Sequence, residues 1–329
     1  MDRRPQPDFL IIGAPKAGTT ALHSALATHP QVFATTPKEP KYWLCDDAPP
    51  PHWRGPGDKH SQQEWVWRRH DYDRLFAAAP GHAVRGESTP FYFWSTSAQR
   101  RIAEHLPEVK LIAVVRDPID RAYSNWMHLW CDGLEPVADF PTAFRLQDRR
   151  AHEGWAPFWR YRELGLYGRQ LDHLYGLVGQ DRVLVVRYRD IVDEPAATVD
   201  RACRFLGIEQ GHVDHIPKDN SRTYVEPGWR PKVLGPVVRG GAWLAQFAPP
   251  EVWRRTYPPL LRRLAGPGEH HRPRLTSDQR EQLLPAFAED IELLSEVSGQ
   301  DFSDWLSTTS RGSFQERAAR AAENLSRSA

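Results

Sequence analysis

Between Asp8 and Pro30 the chain reads DFLIIGAPKAGTTALHSALATHP, and this stretch limits the folds open to it more than any other. Phe9 to Ile12 is an unbroken apolar run that fits a buried strand. Gly13 and Pro15 turn the chain, and from Thr19 the apolar residues recur at helical spacing until Pro30 stops them. A buried strand that passes through a tight glycine turn into a helix is the opening unit of an α/β layer. It also carries chemistry: at such a junction the backbone N–H groups and the helix dipole make a site for an anion.

The same alternation recurs downstream. Residues 83–88, AVRGES, predict a short strand, and Ala98 to Leu106 a helix. KLIAVVRD is the clearest buried strand, with Leu111 to Val115 apolar and Arg116 directly after them; a helix follows from Pro118, proline being favoured at a first helical position. RELGLYGRQLDHLYGLV predicts a helix, DRVLVVRY a strand, and EPAATVDRACRFLGI a helix with Gly207 as its C-cap. Strands alternating with helices predict an α/β fold, a parallel central sheet flanked by helices on both faces, with ligands bound beyond the carboxyl ends of the strands. At 329 residues and 40% hydrophobic content the chain can fill such a core as a single domain over 1–329. Residues 45–70 and 211–275 break the alternation and read as binding loops, which accounts for many of the 13 Trp and 29 Pro. Residues 310–329 are Ala-, Arg- and Glu-rich with few large apolar side chains and predict a weakly docked tail.

Charge narrows the partners. Lys and Arg total 43 against 42 Asp and Glu, a net +1, so no global field gathers nucleic acid or an anionic membrane, and an anion site has to be local. Cys45, Cys131 and Cys203 are an odd number with no metal-ligand spacing, as expected of reduced thiols. The N-terminal apolar run of about five residues is too short for a signal-peptide core or a membrane span, and a cytoplasmic location is expected.

GAPKAGTT, Gly13 to Thr20, has the glycine spacing of a Walker loop, but Thr19 stands where that loop carries lysine and the lysine is displaced to Lys16. A plain strand-to-helix turn remains open for this motif alone, as do an exposed strand-end charge for Arg116 and a helix-surface serine for Ser124. Taken together, PKAGTTAL resembles the 5′-phosphosulfate loop of sulfotransferases that use 3′-phosphoadenosine 5′-phosphosulfate (PAPS), and VVRDPIDRAYSNW resembles their 3′-phosphate motif. The segment VLVVRYRDIVDEPAATVDRACRFLGI is also similar, so the resemblance runs over roughly residues 8–210. It implies the P-loop-NTPase-like sulfotransferase fold, PAPS as donor and 3′-phosphoadenosine 5′-phosphate (PAP) as product, and no metal. Lys16 would neutralise the bridging oxygen as the sulfuryl group leaves, and the amides of Ala17, Gly18, Thr19 and Thr20 with the two threonine hydroxyls would hold phosphate and sulfate oxygens. Arg116 would grip the 3′-phosphate bidentately, with a hydroxyl from Ser124. Asp117 and Arg121 shape the turn and pair locally.

TPKEPKYW, Thr36 to Trp43, resembles the segment that carries the catalytic glutamate in the glycosaminoglycan and heparan-sulfate branch. That match makes Glu39 the general base and lets Lys38 and Lys41 contact donor or acceptor; a solvated charged loop is the alternative. GESTPFYF, Gly86 to Phe93, is similar to the branch's second acceptor-side segment, but Ser88 stands where the glycosaminoglycan enzymes carry lysine. Glu87 is then the rival base, and Tyr92, Phe93 and Trp94 an apolar or sugar-stacking wall. Arg222 and Tyr224 lie where the family returns a loop over the nucleotide. His270 and His271 are expected to be solvated, and His23 and His128 to be packing or surface residues. The expected acceptor is a small molecule, carbohydrate or lipid, and the membrane-anchored members of the branch are a poorer comparison than soluble bacterial ones. A P-loop kinase or nucleotide hydrolase is the competing assignment, disfavoured by Thr19 at the Walker lysine position and by Arg116 where a magnesium-binding aspartate is wanted.

Overall fold

The computed structural model describes residues 6–45, 47–56, 65–81, 83–213 and 275–307. Five parallel strands form its sheet: β1 (Phe9–Gly13), β2 (Val32–Ala34), β3 (Val84–Ser88), β4 (Lys110–Val115) and β5 (Val183–Arg187), in the order β2-β3-β1-β4-β5. Helices supply the crossovers: α1 (Thr19–Ala27), α2 (Tyr42–Cys45), α3 (Arg69–Arg74), α4 (Thr96–His105), α5 (Pro118–Cys131), α6 (Phe140–Arg145), α7 (Gln147–His152), α8 (Tyr167–Val178), α9 (Tyr188–Asp193) and α10 (Pro195–Leu206). The predicted α/β sheet is thus the observed one, and α10 ends at Gly207 as its sequence predicts. Strand β2 escapes pattern reading because its three half-buried residues are too few to alternate. The helix read into RELGLY begins only at Tyr167, after a separate single turn at Glu163–Gly165.

Central strands are apolar throughout because both faces are covered: Leu111 to Val115 are all 0% exposed. Pairing is tight enough to exclude a side chain at one place. The Phe9 ring lies over Gly86, where a Cβ would stand 2.1 Å from its Cζ atom, so glycine here lets β1 and β3 close. Two further helices, α11 (Ser277–Leu283) and α12 (Ala288–Ser298), return to the same body. Thr276 and Gln279 form a capping box at the start of α11. Asp290 of α12 accepts the Gly168 and Arg169 N–H groups at 2.8 and 3.0 Å, capping α8 from outside.

The connection leaving β1 runs toward the β2 edge and the one leaving β4 toward β5. Between these neighbours lies the switch point at which open α/β sheets bind ligands. Gly13–Gly18 leaves one of these strands and Arg116 the other.

Candidate active site

The loop after β1 is built to present amides. Lys16 and Gly18 take left-handed backbone, φ 67° and 96°, which folds the chain back on itself so that Ala17 N–H bonds the Ala14 carbonyl at 3.1 Å. Helix α1 starts at Thr19 with no capping side chain and no acidic residue in its first turn. Its leading N–H groups and positive dipole end are therefore suited to an anion. Gly18 also accommodates a neighbour: a Cβ there would stand 2.7 Å from the Tyr188 ring. That ring stacks under the Arg116 guanidinium, 4.8 Å away, so Tyr188 touches both the loop of β1 and the arginine of β4.

Arg116 leaves the end of β4 as expected, and Asp117 beside it is occupied. Asp117 caps α5 by accepting the Ile119 and Asp120 N–H groups at 3.0 and 3.1 Å, and Arg280 of α11 pairs with the same carboxylate. Arg121 is fully buried, bonding Asn125 Oδ1 at 3.1 Å and the Tyr161 carbonyl; burial pulls its guanidinium down to about 10. Half-buried Ser124 sits on α5 one turn before His128. Lys16 Nζ lies 3.3 Å from His128 Nδ1, so the loop of β1 meets the helix that follows Arg116. His128, expected to be a packing or surface residue, is half-buried against the loop of β1. Its ring packs edge-on to Phe158, 5.5 Å away, and Phe158 packs on Phe91 at 5.8 Å.

The KEPK loop leaves β2 and rests on the end of β3. Glu39 N–H bonds the Ser88 carbonyl at 3.0 Å, Lys41 N–H the Thr89 hydroxyl at 3.3 Å, and Val66 N–H the Pro40 carbonyl at 2.9 Å. Lys38 Nζ pairs with Glu39 Oε1 at 2.7 Å, and Lys41 Nζ lies over the Trp65 ring at 5.4 Å. His23 of α1 stands close enough to feel this loop. Burial first, and then the Lys38 charge, push its imidazole down to about 4, with Glu39 opposing. His23, expected to be a packing or surface residue, is thus half-buried beside the KEPK loop.

Two sequence expectations change. Glu87 is not an exposed rival to Glu39: it is 0% exposed at the end of β3, and burial raises its carboxyl to about 7. Tyr92 and Phe93 are not a substrate wall, since both rings are 0% exposed in the core. Both faces of the sheet are covered at this point: Gly86 and Ser88 are buried on either side of Glu87, and Tyr92 and Phe93 follow the strand into the core. The half-buried aromatics on this side are Phe91, Phe158 and Trp94, the last with Arg160 over it at 5.4 Å. Ser88 is also buried, its hydroxyl without a hydrogen-bond partner among the described residues. Arg222, Tyr224, His270 and His271 lie outside the described residues, as does most of 211–275 and all of 310–329. Among the described residues no group of three or more His, Cys, Asp or Glu is placed to hold a metal ion, and no helix is long and apolar enough to cross a membrane. The histidines had one sequence signal: Ser124 and His128 share a helix face at i, i+4, as do Thr19 and His23.

Fold and site together define a parallel α/β protein with a loop suited to an anion, a lysine and an arginine at the switch point of its sheet. Comparison with known proteins specifies the class. The model of the sulfotransferase family matches residues 7–212, and the chain belongs to that family, whose enzymes transfer sulfuryl groups. Human heparan sulfate glucosamine 3-O-sulfotransferase 6 is 29% identical over 239 residues, 71% of this chain and 63% of that protein. The mouse protein of the same name is 30% identical, over 64% of this chain and 55% of its own length. The chain thus spans less than two thirds of these curated relatives. A solved sulfotransferase from Alicyclobacillus acidocaldarius superposes with a TM-score of 0.68 at 25% identity, covering 91% of this chain and 98% of that one.

Proposed function

We propose that the protein transfers a sulfuryl group from PAPS to a hydroxyl or amine of a sugar-containing or apolar acceptor, with Glu39 taking the acceptor's proton. The contact that carries this reading is Lys16 Nζ to His128 Nδ1 at 3.3 Å, which joins two motifs 112 residues apart in one site. PAPS supplies a phosphosulfate anhydride whose bridging oxygen gains negative charge as the sulfuryl group departs. Lys16 and the leading amides of α1 are suited to that charge, and Arg116, over the Tyr188 ring, to the 3′-phosphate. His128 keeps the lysine headgroup beside α5, while Lys38 holds the Glu39 carboxylate at 2.7 Å. The relatives named for heparan sulfate glucosamine support a carbohydrate acceptor. Lys41 over Trp65, and Phe91 against Phe158, offer such a molecule cationic and flat apolar surfaces.

Donor binding tests this reading without an acceptor. PAP is expected to bind in the absence of any metal, and adenosine 5′-phosphosulfate at least roughly tenfold more weakly, because the charge-assisted bonds from Arg116 to the 3′-phosphate are lost. Calorimetry on the full chain measures both. Equal affinities would remove Arg116 from the donor site, and a strict magnesium requirement with preference for ATP would turn the assignment to a P-loop kinase.

A further inference from the structure

Glu87 is a buried carboxylate that the transfer reaction does not use, and its surroundings are unusual. Tyr72 of α3 donates to Oε1 at 3.3 Å, Thr89 donates to Oε2 at 2.9 Å, and Tyr92 makes a third hydroxyl bond to the same group. Each of those hydroxyl oxygens in turn accepts an N–H from one short segment. Lys41 N–H bonds Thr89 Oγ1 at 3.3 Å, Trp43 N–H bonds Tyr92 Oη at 3.3 Å, and Trp43 Nε1–H bonds Tyr72 Oη at 3.1 Å. That segment is the end of the KEPK loop and the start of α2, where leading helical N–H groups need outside partners. The loop itself carries Glu39 and Lys41 in left-handed backbone, φ 64° at both, a conformation that surrounding contacts must impose.

The bonding is consistent with one charge state. An ionised carboxylate only accepts, so all three hydroxyls can donate to it and keep their oxygens for the loop. A protonated Glu87 becomes a donor among donors, and one buried proton loses its acceptor. We propose that Glu87 is a positioning residue: as a carboxylate it orients the hydroxyls of Tyr72, Thr89 and Tyr92 to hold the loop that presents Glu39, and on protonation it lets that loop relax.

The groups acting on Glu87 are those three hydroxyls and, from the loop, the carboxylate of Glu39, which opposes its ionisation. Tyr42 of α2 stacks on Tyr72 at 4.5 Å, and Arg69 of α3 acts on Glu87's partner Tyr72. Burial is the largest influence and raises the carboxyl to about 7, inside the range in which the enzyme can be assayed. The proposal rests on Glu39 being the base only for its consequence in catalysis; the switch in bonding stands apart from it.

Nitrogen-15 NMR of the full chain labelled at tryptophan and lysine tests it, with the Trp43 indole assigned by its loss in Trp43→Phe. The Trp43 indole and amide and the Lys41 amide are expected to shift together with a midpoint of about 7 in the wild type, to do so at a lower midpoint in Glu39→Gln, which lacks the opposing charge, and to stay flat in Glu87→Gln. A flat wild-type response between pH 5 and 9 on the pH scale of ordinary carboxylates and imidazoles overturns the proposal, and so does a titration that survives Glu87→Gln. If Glu87→Gln does not fold, Tyr72→Phe decides: losing one donor to the carboxylate moves the midpoint upward, and an unmoved midpoint rejects the proposal. A titration that persists while Glu39→Gln keeps full turnover would leave Glu87 its role and remove Glu39 from catalysis.

Discussion

Lys16, Glu39 and Lys41 are non-glycine residues held at positive φ, 67°, 64° and 64°, where a side chain costs about 1–2 kcal/mol. Backbone strain of this kind persists where neighbours over-determine it, and among the described residues three of the four non-glycine residues at positive φ are ones given chemical roles, Asp47 at 61° being the fourth. For Glu39 the consequence is measurable. Glu39→Gln keeps shape and much of the hydrogen bonding but removes basicity. Turnover with labelled PAPS and an acceptor fraction sulfated by the wild type is expected to fall about 10²–10⁴-fold, with PAP affinity nearly unchanged. Retained turnover would move proton removal to His23, which sits beside the same loop, or to water; burial already excludes Glu87 from direct contact with an acceptor.

At the scale of elements, α1 and α9 are fitted to each other through Gly18 and Tyr188. Gly18→Ala places a methyl group 2.7 Å from the Tyr188 ring at φ 96°, so the loop, the ring or both must shift. The strain alone is about 1–2 kcal/mol, and PAP affinity measured by calorimetry is expected to drop by about tenfold; wild-type affinity would show that the ring and the loop are not coupled. The sequence disclosed the carriers of this geometry but not the coupling. Arg116 is legible because it directly follows an apolar run, which marks a strand leaving the core, and Lys16 because it sits within a Walker-like glycine spacing between a strand and a helix. His128 and Tyr188 are not legible in the same way: a helical histidine and a tyrosine after a strand acquire roles only when distant segments meet. The burial of Glu87 is not legible either, because a carboxylate at a strand end reads as exposed, whereas both faces are covered here and the flanking Gly86 and Ser88 are buried with it.

Two groups near one loop, buried Glu87 and half-buried His23, tie the stability of the whole molecule to pH in opposite senses. Glu87 is raised from 4.5 to about 7, so its contribution to stability is full below 4.5 and is lost as pH rises through 7. His23 is lowered from 6.5 to about 4, so its contribution is full above 6.5 and is lost as pH falls through 4. Relative to wild type, Glu87→Gln should grow progressively more stable between pH 4.5 and 7, and His23→Gln progressively less stable between pH 4 and 6.5, read as melting temperature by scanning calorimetry. Parallel curves for either variant would mean that the group does not titrate between those limits. A different lesson lies in the far end of the described chain. Arg280 grips Asp117 immediately beside Arg116, and Asp290 caps α8, yet both lie beyond residue 212, where the family match stops. The stretch by which this protein is recognised is thus shorter than the stretch that holds the turn at Arg116, the arginine proposed to bind the donor. Trimming the chain to its recognisable part would keep the loop after β1, the KEPK segment and the Arg116 motif while stripping out a fastening behind them.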